Sequence, residues 1–299
     1  MSLAVSKSVL ITGCSPGGIG NALAREFHAR AHAQEGCRVI ATARRPDALS
    51  DLAVLGLETI LLDVDSEESI KAAAEEVERI TNGKLDILVN NAGITYPVPL
   101  SDVALPRLRS LFETNVFAVV ALTNALLPQL IAGRGLVVNI SSAAEGLAFP
   151  FKGAYAMTKA ALASYSRTLS VELAELGVRV LNVTTAFVQS QLGKRAPPEP
   201  WPADSLFDSM RQVGQRAGSG TRMLPADYAR RVVAEALRGP GWEFGPWRFF
   251  GTRETIMLGT LSTPMWLLGF LGSNWARFAM LRMWKFRVLR EALLKDKSV

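Results

Sequence analysis

The stretch from Ser8 to Gly20 restricts the fold more than any other. Ser8 to Thr12 is a short apolar run, and Gly13-Cys14-Ser15-Pro16-Gly17-Gly18-Ile19-Gly20 follows at once. Leu23, Phe27 and the alanines around them then give an apolar helical face. A strand that turns through glycines into a helix brings bare backbone to a helix N-terminus. Unpaired N–H groups and the positive end of the dipole attract an anion there. Glycine also lets the chain come close to a pyrophosphate. A tight strand-to-helix turn without a ligand is the plainer reading of the same residues.

The alternation continues. Arg38 to Thr42 reads as a second strand and Thr59 to Val64 as a third. A helix from about Ser66 places Ile70, Ala74, Val77 and Ile80 on one face. Leu85 to Val89 is a fourth strand running into Asn90-Asn91-Ala92-Gly93. A long helical stretch, Leu105 to Leu130, contains Asn115. Leu136 to Ile140 is a fifth strand ending at Ser141-Ser142, a helix runs from Gly153 to about Leu176, and Val178 to Val183 is a sixth strand. Strands alternating with helices predict an α/β fold: a single doubly wound parallel sheet of Rossmann type, flanked by helices.

Two further features carry chemistry. The second strand ends Ala43-Arg44-Arg45-Pro46. An NAD site wants an acid there for the ribose 2′-hydroxyl, whereas a guanidinium suits a 2′-phosphate, so NADPH (NADP) is the expected cofactor. Both arginines could equally open a solvated helix. Tyr155-Ala156-Met157-Thr158-Lys159 puts a phenol and an ammonium one helical turn apart on one side. The positive charge is expected to favour phenolate and lower the tyrosine pKa from about 10. Alone, that spacing is equally a half-buried tyrosine beside a solvated lysine.

The formal charge of +6 is uneven, because 274–299 holds seven basic and two acidic residues. No nucleic-acid motif accompanies it, so no nucleic-acid partner is expected. Cys14 and Cys37 have neither metal nor disulfide spacing, so no metal is expected. Met1 to Lys7 lacks the pattern of a signal peptide, and a cytoplasmic location is expected.

In these residues the chain resembles the short-chain dehydrogenase/reductase family. The match lies in the glycine turn from Thr12-Gly13, in Asn90-Asn91-Ala92-Gly93, in Ser142 thirteen residues before Tyr155, and in Tyr155-x-x-x-Lys159, over roughly 5–250. Within it, the Cys-Ser-x-Gly-Gly-Ile-Gly turn, the Ala-Arg-Arg ending and the hydrophobic tail look most like fungal 1-acyldihydroxyacetone-phosphate reductase-like enzymes. The resemblance implies a catalytic set of Asn115, Ser142, Tyr155 and Lys159. Tyr155 would be the proton donor or acceptor, Lys159 would tune it and hold the nicotinamide ribose, Ser142 would hydrogen-bond the developing alkoxide, and Asn115 would anchor a relay water. It also implies cofactor contacts at Gly13, Ser15, Gly17, Gly18, Ile19, Arg44, Asp63, Val64, Asn90, Gly93, Tyr155, Lys159, Val188 and Ser190. The turn is one residue longer than the family pattern, leaving open which of Gly17 and Gly18 takes the middle role. Thr185-Ala186 stands where Pro-Gly is usual.

The expected activity is NADPH-dependent reduction of a hydrophobic ketone of lipid, steroid or secondary metabolism, acyl-dihydroxyacetone phosphate among them. The alternatives are the reverse NADP-dependent alcohol oxidation and a non-catalytic NADP-binding interaction protein. A catalytic domain over 1–253 is expected, with a substrate lid at 191–220 in which Leu206, Phe207, Met210 and Val213 form a short apolar helix. Trp247 to Phe250 reads as the last strand. A hydrophobic and basic helical extension follows over 254–299, and its aromatic and basic residues suit a peripheral membrane or lipid-droplet surface, a partner subunit or the pocket mouth. A homo-oligomer, dimer or tetramer, is expected.

Overall fold

The computed structural model describes residues 7–30, 37–192, 201–210, 221–239, 242–244, 247–249 and 252–265. In chain order the elements are β1 (Lys7–Ile11), α1 (Ile19–Arg30), β2 (Cys37–Ala43), α2 (Ser50–Ala53), β3 (Glu58–Leu61), α3 (Glu67–Thr81) and β4 (Ile87–Asn90). There follow α4 (Leu105–Phe112), α5 (Ala118–Ala125), α6 (Leu127–Gly133), β5 (Leu136–Ile140), α7 (Gly153–Glu172), β6 (Arg179–Thr185) and α8 (Pro225–Ala236). The last are β7 (Trp242–Phe244), β8 (Trp247–Phe249) and β9 (Thr255–Leu258). Seven strands form one sheet in the order β3-β2-β1-β4-β5-β6-β9, and every neighbouring pair is parallel.

Side chains of a strand alternate between faces, so each strand feeds two cores. Val9 and Ile11 of β1 join Val39 and Ala41 of β2 in a cluster beneath Leu23 and Phe27 of α1 and Val232 of α8. Leu10 points the other way, to a cluster with Ile70 and Val77 of α3, Leu122 of α5 and Leu169 of α7. Burying each such side chain contributes roughly 1.5–3 kcal/mol, which makes the two-sided cover the main stabilising feature. Helix α3 starts at an N-cap, Ser66, whose hydroxyl accepts from the Ser69 N–H, and stops at left-handed Asn82.

Three elements differ from the sequence-based expectation. The stretch 105–130 is not one helix. At 113–117 it widens so that the Ala118 N–H donates to the carbonyl of Glu113, five residues back, a geometry that often marks functional sites. At Leu126 the axis bends by 59°, because Pro128 lacks the N–H that would continue the ladder and crowds the preceding turn. The final sheet strand is Thr255–Leu258, paired in parallel with β6, whereas Trp247–Phe249 pairs only with Trp242–Phe244 in a separate hairpin. The sheet therefore runs past the expected boundary at 253, into the apolar run assigned to the extension. Third, β3 ends at Leu61 rather than Val64.

Among the described residues no single helix is long and apolar enough to cross a membrane. Residues 266–299, on which the surface-binding expectation falls, lie outside the described residues, as do 193–200 and 211–220 of the expected lid.

Candidate active site

The sheet order reverses direction between β1 and β4, the point at which an open α/β sheet leaves a crevice at its carboxyl edge. The crevice is pinned across its floor. Thr12 Oγ1 accepts from the N–H groups of Asn91 and Ala92, both at 2.9 Å, while Asn91 Nδ2 donates to the carbonyls of Thr12 (2.8 Å) and Gly13 (3.2 Å). At Gly20 an added Cβ would lie 2.5 Å from both the Gly13 carbonyl oxygen and Asn91 Nδ2, so only glycine lets α1 approach this closely. Neither Asn91 nor Gly20 was among the expected site residues, although both stand inside the quoted motifs. Their role is to hold the crevice together.

Gly17 has a left-handed φ of +71°, and an added Cβ would sit 2.8 Å from Gln191 Nε2. Gly18 has no positive φ and uses its N–H on the Ser15 carbonyl. Gly17 is therefore the middle glycine that the backbone requires. Ser15 and Ile19 flank it half-buried, and the first turn of α1 carries no acidic residue. A bare, uncompensated helix N-terminus over an exposed glycine fits a dinucleotide pyrophosphate.

At the end of β2, Arg45 pairs with Asp47 at 3.3 Å, while Arg44 is exposed and meets no carboxylate among the described residues. Asp63 is half-buried after β3, its carboxylate accepting from the Asp65 N–H. Val64 packs into the α3-side core. Asn90 turns its Nδ2 away from the crevice, to Asn139 Oδ1 (2.9 Å) and Thr123 Oγ1 (3.3 Å), so its side chain braces the sheet. Gly93 lies where a Cβ would press on Asn115 Oδ1 at 3.1 Å. Val188 pairs with Met223 and buries its side chain in the α1-side core, and Ser190 is half-buried beside it.

The four expected catalytic residues meet at the ends of β4 and β5. Lys159 of α7 reaches across and donates to the Ile140 carbonyl at 2.9 Å, with its ammonium 5.7 Å from the centre of the Tyr155 ring. The Ser142 hydroxyl faces the Tyr155 phenol and lowers its proton affinity, and it caps the turn by accepting from the Ala144 N–H at 3.2 Å. Ser141, one residue earlier, instead donates to Glu145 at 2.5 Å. Asn115, fully buried in the widened turn, accepts from the Ile94 N–H and donates to the Ile94 carbonyl and to Thr158 Oγ1. Its amide is spent on the chain, so its side chain braces the Ile94 loop against α7.

Burial controls the proton affinities. It pushes the Tyr155 phenol up to about 12, with Ser142 opposing and the Glu145 charge adding to the rise. The phenol is therefore raised where the sequence suggested a lowering, and desolvation is the largest cause. Burial also lowers Lys159 to about 8, against the pull of Glu145. Cys14, at the glycine turn, is held near 12 by burial and is an unreactive thiol.

An apolar wall closes the site. Tyr96, Val98, Phe151, Trp201, Met210 and Met265 cluster with Tyr155. The Trp201 ring packs 4.8 Å from that of Phe151, tilted by 46°, and its indole N–H donates to the Pro97 carbonyl. Of the expected lid helix, Phe207 and Met210 face this cluster, Leu206 is 67% exposed, and Val213 lies outside the described residues. Met265 had been assigned to the extension.

A doubly wound sheet with an anion-ready glycine turn and a buried tyrosine–lysine–serine group at its carboxyl edge defines a nucleotide-dependent oxidoreductase. Residues 7–201 match the family model for short chain dehydrogenase. The chain belongs to the short-chain dehydrogenase family. It is 42% identical to an NADPH-dependent 1-acyldihydroxyacetone phosphate reductase of Schizosaccharomyces pombe, over 62% of this chain and 61% of that protein's length. It is 41% identical to the short-chain dehydrogenase ptmH of Penicillium ochrochloron, over 79% of this chain and 86% of that one. The crystal structure of a short-chain dehydrogenase from Streptomyces avermitilis superposes with a TM-score of 0.76 at 32% identity, covering 96% of this chain and 99% of the other.

The depressed Lys159 value carries a pH signature. Above about 8 the unfolded chain holds on Lys159 a proton that the folded chain has lost, so stability rises with pH up to about 9, where the buried Cys14 thiol, raised from its ordinary 9.0, begins to oppose it. Calorimetric Tm against pH should show this rise in the wild type and a flatter profile in Lys159→Met.

Proposed function

We propose that the chain is an NADPH-dependent reductase that converts the carbonyl of a hydrophobic ketone to an alcohol, with Tyr155 as proton donor. The observation that carries the reading is the meeting of Ser142, Tyr155 and Lys159 beneath an apolar wall. NADPH, when bound, supplies the hydride. The turn from Gly13 to Ile19 would hold its pyrophosphate and Arg44 its 2′-phosphate. As the carbonyl carbon takes up hydride, its oxygen gains the electron pair and removes the proton from the Tyr155 hydroxyl. Ser142 donates to that oxygen, and the Lys159 ammonium stabilises the phenolate left behind. Burial raises the proton affinity of the phenol, so Tyr155 enters the reaction in the protonated form that reduction needs.

Two observations support an anionic headgroup on the substrate. Lys152, directly before α7, is held below the usual lysine value by burial first and by the Arg222 charge second. Two neighbouring cations near an apolar wall suit a phosphate joined to an acyl chain. The fission-yeast relative is named for such a substrate, 1-acyldihydroxyacetone phosphate.

Tyr155→Phe should lower turnover about a thousandfold while NADPH still binds, followed by nucleotide fluorescence. Near-normal turnover would end the assignment. Arg44→Ala should weaken NADPH about 10–100-fold and leave NADH unaffected, and equal effects on both would remove Arg44 from 2′-phosphate recognition. In assays of NADPH absorbance, acyl-dihydroxyacetone phosphate should exceed the matching phosphate-free ketone at least about tenfold in kcat/KM, a difference of about 1.4 kcal/mol. Equal values would argue against the anionic headgroup.

A further inference from the structure

Among the described residues Glu145 is the carboxylate built into this site, and the mechanism above does not use it. It closes the short turn after β5, half-buried, and is held from three sides. Ser141 Oγ donates to it at 2.5 Å, Thr184 Oγ1 at 2.7 Å, and Asn182 Nδ2 at 3.2 and 3.3 Å to its two oxygens. All three donors are buried, and Asn182 leaves its own Oδ1 without a partner while serving this acid. A carboxylate gathers donors in this way when it is ionised, because it is then an acceptor only.

The same six residues, 140–145, hold polar groups that meet the reacting side chains. Ile140 offers its carbonyl to Lys159, Ser141 binds Glu145, and Ser142 meets the Tyr155 phenol and accepts the Ala144 N–H. Thr184 and Asn182 belong to β6, which pairs with β5 in register through Asn139 and Ile140. Glu145 therefore ties the serine-bearing turn to the neighbouring strand and stands as the fixed negative charge beside a phenol and an ammonium.

We propose that Glu145 is the positioning residue of this site, its carboxylate clamping the Ser142 turn to β6 alongside the tyrosine and lysine that carbonyl reduction requires. The proposal rests on the reductase reading above. The Glu145 charge acts on the buried pair in one direction: it raises Tyr155 and raises Lys159 against its desolvation. The other ionisable groups around the turn come from separate elements. Tyr228 of α8 interacts with Tyr155 and lies 2.6 Å from Thr185 Oγ1, and Lys152 with Arg222 flanks the start of α7. Glu254 contributes only its carbonyl, to the Asn182 N–H.

The test compares the wild type with Glu145→Gln, an isostere that keeps an acceptor in place. In the wild type, ketone reduction should fall on an alkaline limb as the Tyr155–Lys159 pair loses a proton. In Glu145→Gln that limb should move to lower pH by at least about half a unit, as expected for removing one nearby charge. Glu145→Asp keeps the charge one methylene back and should give an intermediate limb. Thr184→Val leaves the charge in place, so it should lose stability and turnover with its limb unmoved. A second readout needs no turnover: the rise of Tm with pH assigned to Lys159 should begin at lower pH in Glu145→Gln. An active wild type whose limb and Tm profile are both unmoved by Glu145→Gln overturns the role of Glu145. A Thr184→Val limb that moves as far as that of Glu145→Gln overturns it too. If Glu145→Gln does not fold, an unmoved limb in Glu145→Asp overturns it. A wild type inactive on every ketone with NADPH would instead defeat the reductase reading itself.

Discussion

The bond between two strand ends holds the rest of the site in place. Thr12 closes β1 and Asn91 follows β4, and each satisfies main-chain groups of the other. Where a doubly wound sheet reverses direction, the two strands have no common loop to hold their ends at a fixed distance. The side chains of Thr12 and Asn91 supply that tie, and Gly20 lets α1 settle against it. With that floor fixed, the glycine turn, Gly93 and the widened turn at Asn115 all sit in one frame. Asn115 then links the Ile94 loop to Thr158, one residue before Lys159.

The reacting groups are governed by a contest between burial and charge. A phenol and an ammonium placed together in water would favour phenolate. In this site both are enclosed, so the phenol holds its proton more firmly and the ammonium less firmly than either would in water. Ser142 pulls the phenol back, and the Glu145 charge acts on both partners in the same sense. Such an arrangement suits a proton donor.

Much of the fold and the site was legible in the sequence. The strand-to-helix alternation and the glycine turn follow from short-range spacing, and the Tyr155–Lys159 register follows from helical geometry. What was misread depended on partners distant in the chain. Trp247–Phe249 has strand-like residues but lies in a hairpin, while Thr255–Leu258, apolar enough to resemble the start of a tail, completes the sheet against β6. The side-chain partners of Asn90, which are Asn139 and Thr123, also lie far along the chain. Glu145 gave no signal, because its donors Asn182 and Thr184 lie on a later strand.

The sequence alone settled the order of elements, the positions where backbone must approach closely, and the pairing of a tyrosine with a lysine one turn apart. Those properties arise within a few residues, where helix and strand periods leave little freedom. Only the tertiary structure decided where two adjacent serines spend their hydroxyls, which way burial drives the proton affinities, and that Glu145 and a seventh strand both join β6. Each of these depends on desolvation or hydrogen bonding between segments that fold together from far apart in the chain, and no local pattern records that contact.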